Sequence, residues 1–284
     1  MIDLAPNHKL GLTVNNPILL AGGMIGYGEA RQPGVATEQL GAVVVGPLLL
    51  NSRVGAEPPR LAATNGGFVL ETGGQNRGVH AVLKQFATLW PRLGCPVVAQ
   101  LADGQPALLS KLLARLADVG GLSGLELLFP RQGEAEQLRA LVQMVWRQSD
   151  LPLWVKLPLE RSVELAPVAV EAGAVGIVIG QPPLGVSPGA PHLLAGEKTA
   201  TTLPPLVRGA LYGPLVFPLM LAALVELARL TLPCALVACG GIHTPSQVQT
   251  ALAAGAQAVQ IDSAVWVEPG LPARLAQQYA THGS

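Results

Sequence analysis

Eight short apolar runs, spread along most of the chain, constrain the fold more than any other feature. They are Pro17–Ala21, Ala42–Val45, Pro96–Leu101, Gly124–Leu128, Leu153–Leu157, Val175–Ile179, Ala235–Ala238 and Ala258–Ile261. They lack the regular polar alternation of a half-exposed strand, which suits strands buried on both faces. Most are followed by a helix-like segment. The clearest are Val79–Trp90, Pro106–Val119, Glu134–Gln148, Val163–Ala172, Leu215–Leu230, Pro245–Ala254 and Leu271–Ala280. The weakest helical pattern is Gly28–Leu40. Eight strand–helix units in 284 residues predict a closed (β/α)8 TIM barrel, a single domain over residues 1–284. The rival is an open, doubly wound sheet. It needs a glycine fingerprint that follows the first strand and opens a helix. Gly22-Gly23-Met24-Ile25-Gly26-Tyr27-Gly28 has the wrong glycine order and no clear helix after it.

Lys9 to Val14 alternates and predicts a hairpin arm outside the main sheet. Two connections on the C-terminal side of the strands are long, Gly46–Gly78 and Gly180–Gly213. Both are rich in Gly and Pro and are expected to be loops of the active face.

Composition excludes several classes. Half the residues are hydrophobic, 13% are charged, and 18 basic residues balance 18 acidic ones. No attraction to nucleic acid or to anionic membranes is expected. Cys95, Cys234 and Cys239 show no metal-ligand spacing, so no metal site is expected. Their apolar settings suggest reduced, buried thiols in the cytoplasm. The N-terminus has no apolar signal core. Gly213–Leu232 is the most membrane-like stretch, yet it carries Pro214, Pro218, Glu226 and Arg229, which predicts a barrel helix.

Pro233–Ala264 holds the most site-like pattern. An apolar strand ends in Gly240-Gly241, Thr244 and Pro245 open a helix, and a second buried strand follows. Backbone amides at such strand ends form a cup for a phosphate. A tight strand-to-helix turn would need the same glycines. Lys156 stands inside an apolar strand, where an unpaired charge is costly. Two explanations remain open: contact with an anionic ligand, or an ion pair with Glu126 on the neighbouring strand. Gln100 ends the third strand, either as a ligand amide or as a loop cap. Arg208 and His243 could reach a phosphate or lie in solvent, and Cys239 reads most simply as a buried structural thiol. Glu71 and Arg77 flank Asn76 in an expected active-face loop. His80 and His192 have no partners at a recognisable spacing.

Several motifs together resemble the class 1 dihydroorotate dehydrogenases. They are Asn16-Pro17-Ile18-Leu19-Leu20-Ala21-Gly22-Gly23, Gly26-Tyr27-Gly28-Glu29 and Leu40-Gly41-Ala42-Val43-Val44-Val45. Arg53, Gly55, Pro59 and Arg60 follow, then Gly73, Gln75, Asn76 and Gly78. Pro152–Leu157, Gly209-Ala210-Leu211-Tyr212-Gly213-Pro214 and Gly240-Gly241-Ile242 complete the match. The resemblance implies an FMN-dependent barrel related to enzymes that oxidise dihydroorotate. It implies a flavin-ring seat of Ala21, Gly22, Gln100 and Lys156, and a phosphate end of Gly209, Gly240, Gly241 and Ser263. It also implies a homo-dimer, or a hetero-oligomer with a related barrel.

The family's active positions are changed. A flavin-contacting lysine falls on Gly46, and a substrate asparagine falls on Leu70. The asparagine closing the sixth strand becomes Gln181. The base-bearing loop after the fourth strand is cut to Phe129-Pro130-Arg131, and Asp262 stands where glycine is usual. No catalytic residue is assigned. Loss of the base alone would remove roughly 10²–10⁴ in rate. The expectation is therefore a divergent FMN-binding, oxidoreductase-like protein that does not oxidise dihydroorotate. The alternative is a non-catalytic relative that serves in an assembly, with or without a small-molecule or phosphate ligand.

Overall fold

A computed structural model of the chain describes residues 1–29, 34–189 and 204–280. It opens with a two-residue antiparallel pair, β1 (Ile2–Asp3) and β2 (Thr13–Val14), which lies outside the main sheet. The barrel then begins with β3 (Ile18–Leu20) and β4 (Ala42–Leu48). A hairpin, β5 (Leu61–Thr64) and β6 (Gly67–Leu70), precedes α1 (Val79–Phe86). Next come β7 (Val97–Leu101), α2 (Pro106–Leu116), β8 (Gly124–Leu128), α3 (Ala135–Gln148), β9 (Leu153–Pro158), α4 (Ser162–Glu171) and β10 (Gly176–Gln181). A second pair of strands follows, β11 (Leu184–Pro188) and β12 (Leu206–Tyr212), and then α5 (Phe217–Arg229). β13 (Ala235–Cys239), α6 (Pro245–Ala253), β14 (Ala258–Ile261), α7 (Ala264–Val267) and α8 (Leu271–Ala280) complete the chain.

The eight predicted runs pair in parallel into one closed barrel, in the order β3-β4-β7-β8-β9-β10-β13-β14 and back to β3. The fold is a (β/α)8 barrel. Full burial of β7, β9, β10, β13 and β14 explains why their sequences do not alternate. The helices carry their apolar stripes inward. In α3, Leu138, Leu141, Val142 and Val145 recur at the helical spacing and all are buried. Thr244 caps α6 as expected. Gln247 N donates to its Oγ1 (3.2 Å), and Gln247 Oε1 accepts from Thr244 N (3.0 Å). The stretch from Gly213 to Leu232 forms a 3-10 turn and α5. No helix of the described residues is long and apolar enough to cross a membrane.

The two long connections differ from expectation. Each carries a pair of strands, and the four form one antiparallel sheet in the order β11-β12-β6-β5. Among the described residues, three buried apolar side chains, Ala62, Val69 and Val207, pack on the face turned away from Leu70, Ala210 and Tyr212, with Leu211 against them. Strands this short, broken by Gly and Pro and exposed on one face, leave little periodic signal. The predicted helix over Gly28–Leu40 is reduced, among the described residues, to a 3-10 turn at Thr37–Gln39. Residues 30–33 of that stretch, and His192, lie outside the described residues.

Candidate functional site

The barrel strands and the small sheet enclose a cavity of about 450 Å³ at the C-terminal face, within the usual range for small-molecule sites. Its inner floor is polar. Gln100 Nε2 donates to Glu126 Oε1 (2.6 Å), and Gln260 Nε2 donates to Glu126 Oε2 (2.6 Å). Lys156 Nζ donates to Gln260 Oε1 (2.9 Å) and to Cys239 Sγ (3.2 Å). These residues project inward from β7, β8, β14, β9 and β13, so closing the barrel is what brings them together.

Lys156 and Glu126 are thus joined through Gln260 rather than by direct contact. Gln260 is fully buried, and sequence reasoning missed it. The available signal was a lone polar residue in a four-residue apolar strand. Burial opposes the charge on Lys156, but the Cys239 sulfur, Glu126 and Asp262 outweigh it and hold its proton above the usual lysine range. Lys156 Nζ serves as the donor to both of its partners on the floor. Burial pushes the Cys239 thiol up to about 12, against the pull of Lys156. Cys239 lines the cavity as a thiol, not as a thiolate nucleophile.

Gly22 forms the shelf beside this floor. A Cβ there would lie 2.7 Å from the Gln100 side chain, so the amide packs flush against the glycine backbone. Ala21, Gly22, Gln100 and Lys156 all line the cavity. The structure brings these four predicted residues together.

One layer further out, just after the end of β14, the cavity is built differently. Asp262 lines the cavity and is 5% exposed. Ser263 Oγ donates to its Oδ1 (3.2 Å). Burial raises the proton affinity of Asp262, with Lys156 the chief opposing influence. Tyr212 and Trp266 line the same end. With Phe68 they form an aromatic cluster, with centroids 5.3 Å (Phe68–Tyr212), 5.4 Å (Phe68–Trp266) and 5.7 Å (Tyr212–Trp266) apart. Burial, and then Asp262, push the Tyr212 phenol up to about 12.

The other four predicted residues do not line the cavity. Gly209 sits inside β12, paired with Gly185, so the expected phosphate loop there is a strand. Gly240, Gly241 and Ser263 are buried, the two glycines against the start of α5. Gly241 has φ +68°, and a Cβ on it would fall 2.3 Å from Phe217 N. The close approach of α5 explains this glycine without a ligand. His243 Nε2 is buried and has no hydrogen-bond partner among the described residues. Burial pulls the His243 pKa down, with Asp262 opposing.

Other expected contacts have structural roles. Glu71 Oε1 accepts from Gly73 N (2.6 Å), and Arg77 lies 5.3 Å over the Phe86 ring. Asn76 braces its loop through Pro47 O (2.7 Å) and Gly78 N (2.9 Å). Arg208 is exposed on β12, and His80 borders a surface groove with Lys111 and Arg115. Gln181 Nε2 is committed to the carbonyls of Phe129 and Lys156. At Gly46, φ is +120°, and a side chain would meet Gln100 O at 3.0 Å, so no lysine could stand there unchanged. Among the described residues, no group of His, Cys, Asp or Glu could hold a metal ion.

A (β/α)8 barrel with a cavity on the C-terminal face, floored by a buried lysine relay, defines the class. Within it, the family model for dihydroorotate dehydrogenase matches residues 6–281. The catalytic subunit of dihydroorotate dehydrogenase B (NAD(+)) from Desulforudis audaxviator (strain MP104C) is 30% identical over 289 aligned residues. The alignment covers 95% of this chain and 91% of that relative. Dihydroorotate dehydrogenase A (fumarate) from Limosilactobacillus reuteri (strain DSM 20016) is 28% identical, covering 91% of this chain and 86% of that relative. The chain belongs to the dihydroorotate dehydrogenase family.

The fit to FMN differs by end. The Gly22–Gln100 shelf and the Lys156 ammonium suit a flat ring with acceptor atoms at its edge. The phosphate end does not fit. A buried carboxylate and two aromatic rings stand at that end of the cavity, and the glycine amides do not line it.

Proposed function

We propose that this chain is a divergent, flavin-binding member of its family that does not oxidise dihydroorotate. One observation carries the flavin part: the Lys156 amine is held on the cavity floor by its bond to Gln260, beside the Gly22–Gln100 shelf. A bound flavin would supply hydride or single-electron transfer. The protein's part is to orient the ring, with Lys156 donating to an acceptor on its edge and Gln100 fixed by Glu126.

The negative part rests on the cavity walls. Leu49, Leu70, Ala102 and Leu128 line them beside Arg53, Thr72 and Arg131, and Gln181 Nε2 is already occupied by backbone carbonyls. Dihydroorotate is a polar, charged ring, and each of its groups left unpaired there costs ~1–3 kcal/mol. No base faces the cavity at the fourth strand: Phe129 is fully buried, and only a short connection leads from β8 to α3. The test has two arms, flavin absorption on reconstitution and dihydroorotate turnover. Saturable flavin uptake with no turnover above background supports the proposal. Turnover at ordinary enzymatic rates would overturn its negative part.

A second reading is a non-catalytic barrel within an assembly, either a homo-dimer or a hetero-oligomer with a related barrel. Leu61, Leu184, Val186 and Leu206 favour it. They share one face of the small sheet, and each is more than half exposed. A monomer at all concentrations in sedimentation would remove the self-association form of this reading.

A further inference from the structure

The aromatic, acidic end of the cavity needs its own explanation. A phosphate monoester carries close to two negative charges at neutral pH. Its seat should offer amides or cations, yet just beyond the strand end the cavity presents the Asp262 carboxylate, with Tyr212 and Trp266 lining the same cavity. The cavity's two arginines do not rescue the site. Arg53 and Arg131 border the neighbouring groove with Gln105, Phe129 and Gln181, a groove that includes neither Asp262 nor Tyr212. Arg131 is moreover engaged by Glu160 (3.3 Å) and by the Pro182 carbonyl.

A buried carboxylate is instead well suited to accept hydrogen bonds from hydroxyl groups. The same exchange separates two kinds of dinucleotide site: an acidic residue selects a ribose diol, and a basic one admits a ribose phosphate. Aromatic faces around the carboxylate suit the carbon backbone of a hydroxylated chain. Asp262 accepts from Ser263 Oγ at Oδ1 (3.2 Å) and from the Ser263 backbone amide, and at 5% exposure its carboxylate has little other contact with solvent.

We propose that the cavity selects an unphosphorylated flavin, a ring bearing a free hydroxylated chain, with Asp262 accepting from the chain hydroxyls and excluding the phosphate ester. This inference rests on the flavin reading above. Lys156 and Gln100 hold the ring. Asp262 reads the chain, and Tyr212 and Trp266 close the end where a phosphate would extend.

Three ligands separate the claims: riboflavin, FMN, and lumiflavin, which has the ring without the chain. The full chain, stripped of any bound ligand, is titrated with each by flavin fluorescence quenching. Riboflavin should bind at least tenfold more tightly than FMN, and more tightly than lumiflavin. Asp262→Asn keeps the shape and removes the charge, and Asp262→Ser removes the carboxylate. Either should narrow the riboflavin-to-FMN ratio at least fivefold and leave lumiflavin binding unchanged, a readout that a misfolded variant could not give. Tighter binding of FMN than of riboflavin overturns the inference and leaves the flavin reading standing. Equal binding of riboflavin and lumiflavin overturns the role of Asp262 in reading the chain. No binding of any of the three overturns both.

Discussion

The two ends of the cavity are built from overlapping parts and behave differently. At the inner end, Gln100, Glu126, Gln260 and Lys156 form a hydrogen-bonded chain that uses both oxygens of the Glu126 carboxylate. At the outer end, burial raises the proton affinity of Asp262, and His243 Nε2 lacks a partner among the described residues. β14 and the residues just after it supply both ends: Gln260 satisfies the relay, and Asp262 stands two positions on. The inner end is fixed by barrel closure, because each member comes from a different strand. The outer end depends on residues after strand ends, where one substitution changes the chemistry without disturbing the barrel. Divergence in this fold can therefore keep a ring seat while it rewrites what the seat is joined to.

The comparison breaks most sharply at Lys156. Lys156→Met should leave Glu126 buried with two neutral amides and cost about 3–5 kcal/mol in chemical denaturation. Adding Glu126→Gln to that variant should recover most of the loss, because no uncompensated charge then remains. A neutral Lys156→Met would mean that the relay is not what holds the floor.

Gly241→Ala tests the outer end in the opposite sense. Backbone strain and the approach of Phe217 N should lower stability by roughly 1–3 kcal/mol, while the ratio of riboflavin to FMN affinity stays as in the wild type. A selective loss of FMN binding would restore Gly241 to a phosphate site.

Gly22→Ala pushes on the Gln100 side chain, which is flexible at its end, so folding should change little. Flavin affinity should fall about tenfold, near 1.4 kcal/mol, because the shelf is displaced. Unchanged titration curves would detach Gly22 from the ring seat.

The smallest effect concerns pH. Folding raises the proton affinity of Asp262. An acid of this kind costs stability at neutral pH, and the cost is relieved as pH falls through its folded value towards its unfolded one. Asp262→Asn should therefore raise Tm at pH 7.5 by about 2 °C or more, and the gain should vanish by about pH 4. A gain independent of pH would show that Asp262 is not strained by its burial.

The eight barrel strands were legible because full burial writes an unbroken apolar run. Lys156 was legible for the complementary reason: a charge in such a run needs an explanation. Gln260 carries the same signal in a milder form, and a neutral amide draws less notice than an ammonium. The small sheet was not legible, since β5, β6, β11 and β12 lie in segments whose glycines and prolines read as loops. That hid Gly209 inside a strand and made its motif look like a phosphate loop. Nor could the sequence reveal that Tyr212 and Trp266 converge on Asp262, because barrel closure and the small sheet together set that meeting.

The most direct test of the two-ended cavity is the ratio of riboflavin to FMN dissociation constants for the wild-type chain, measured side by side in one buffer. Saturable binding of both, with riboflavin at least tenfold tighter, is the predicted result. FMN equal to or tighter than riboflavin, or no uptake of either, would contradict it.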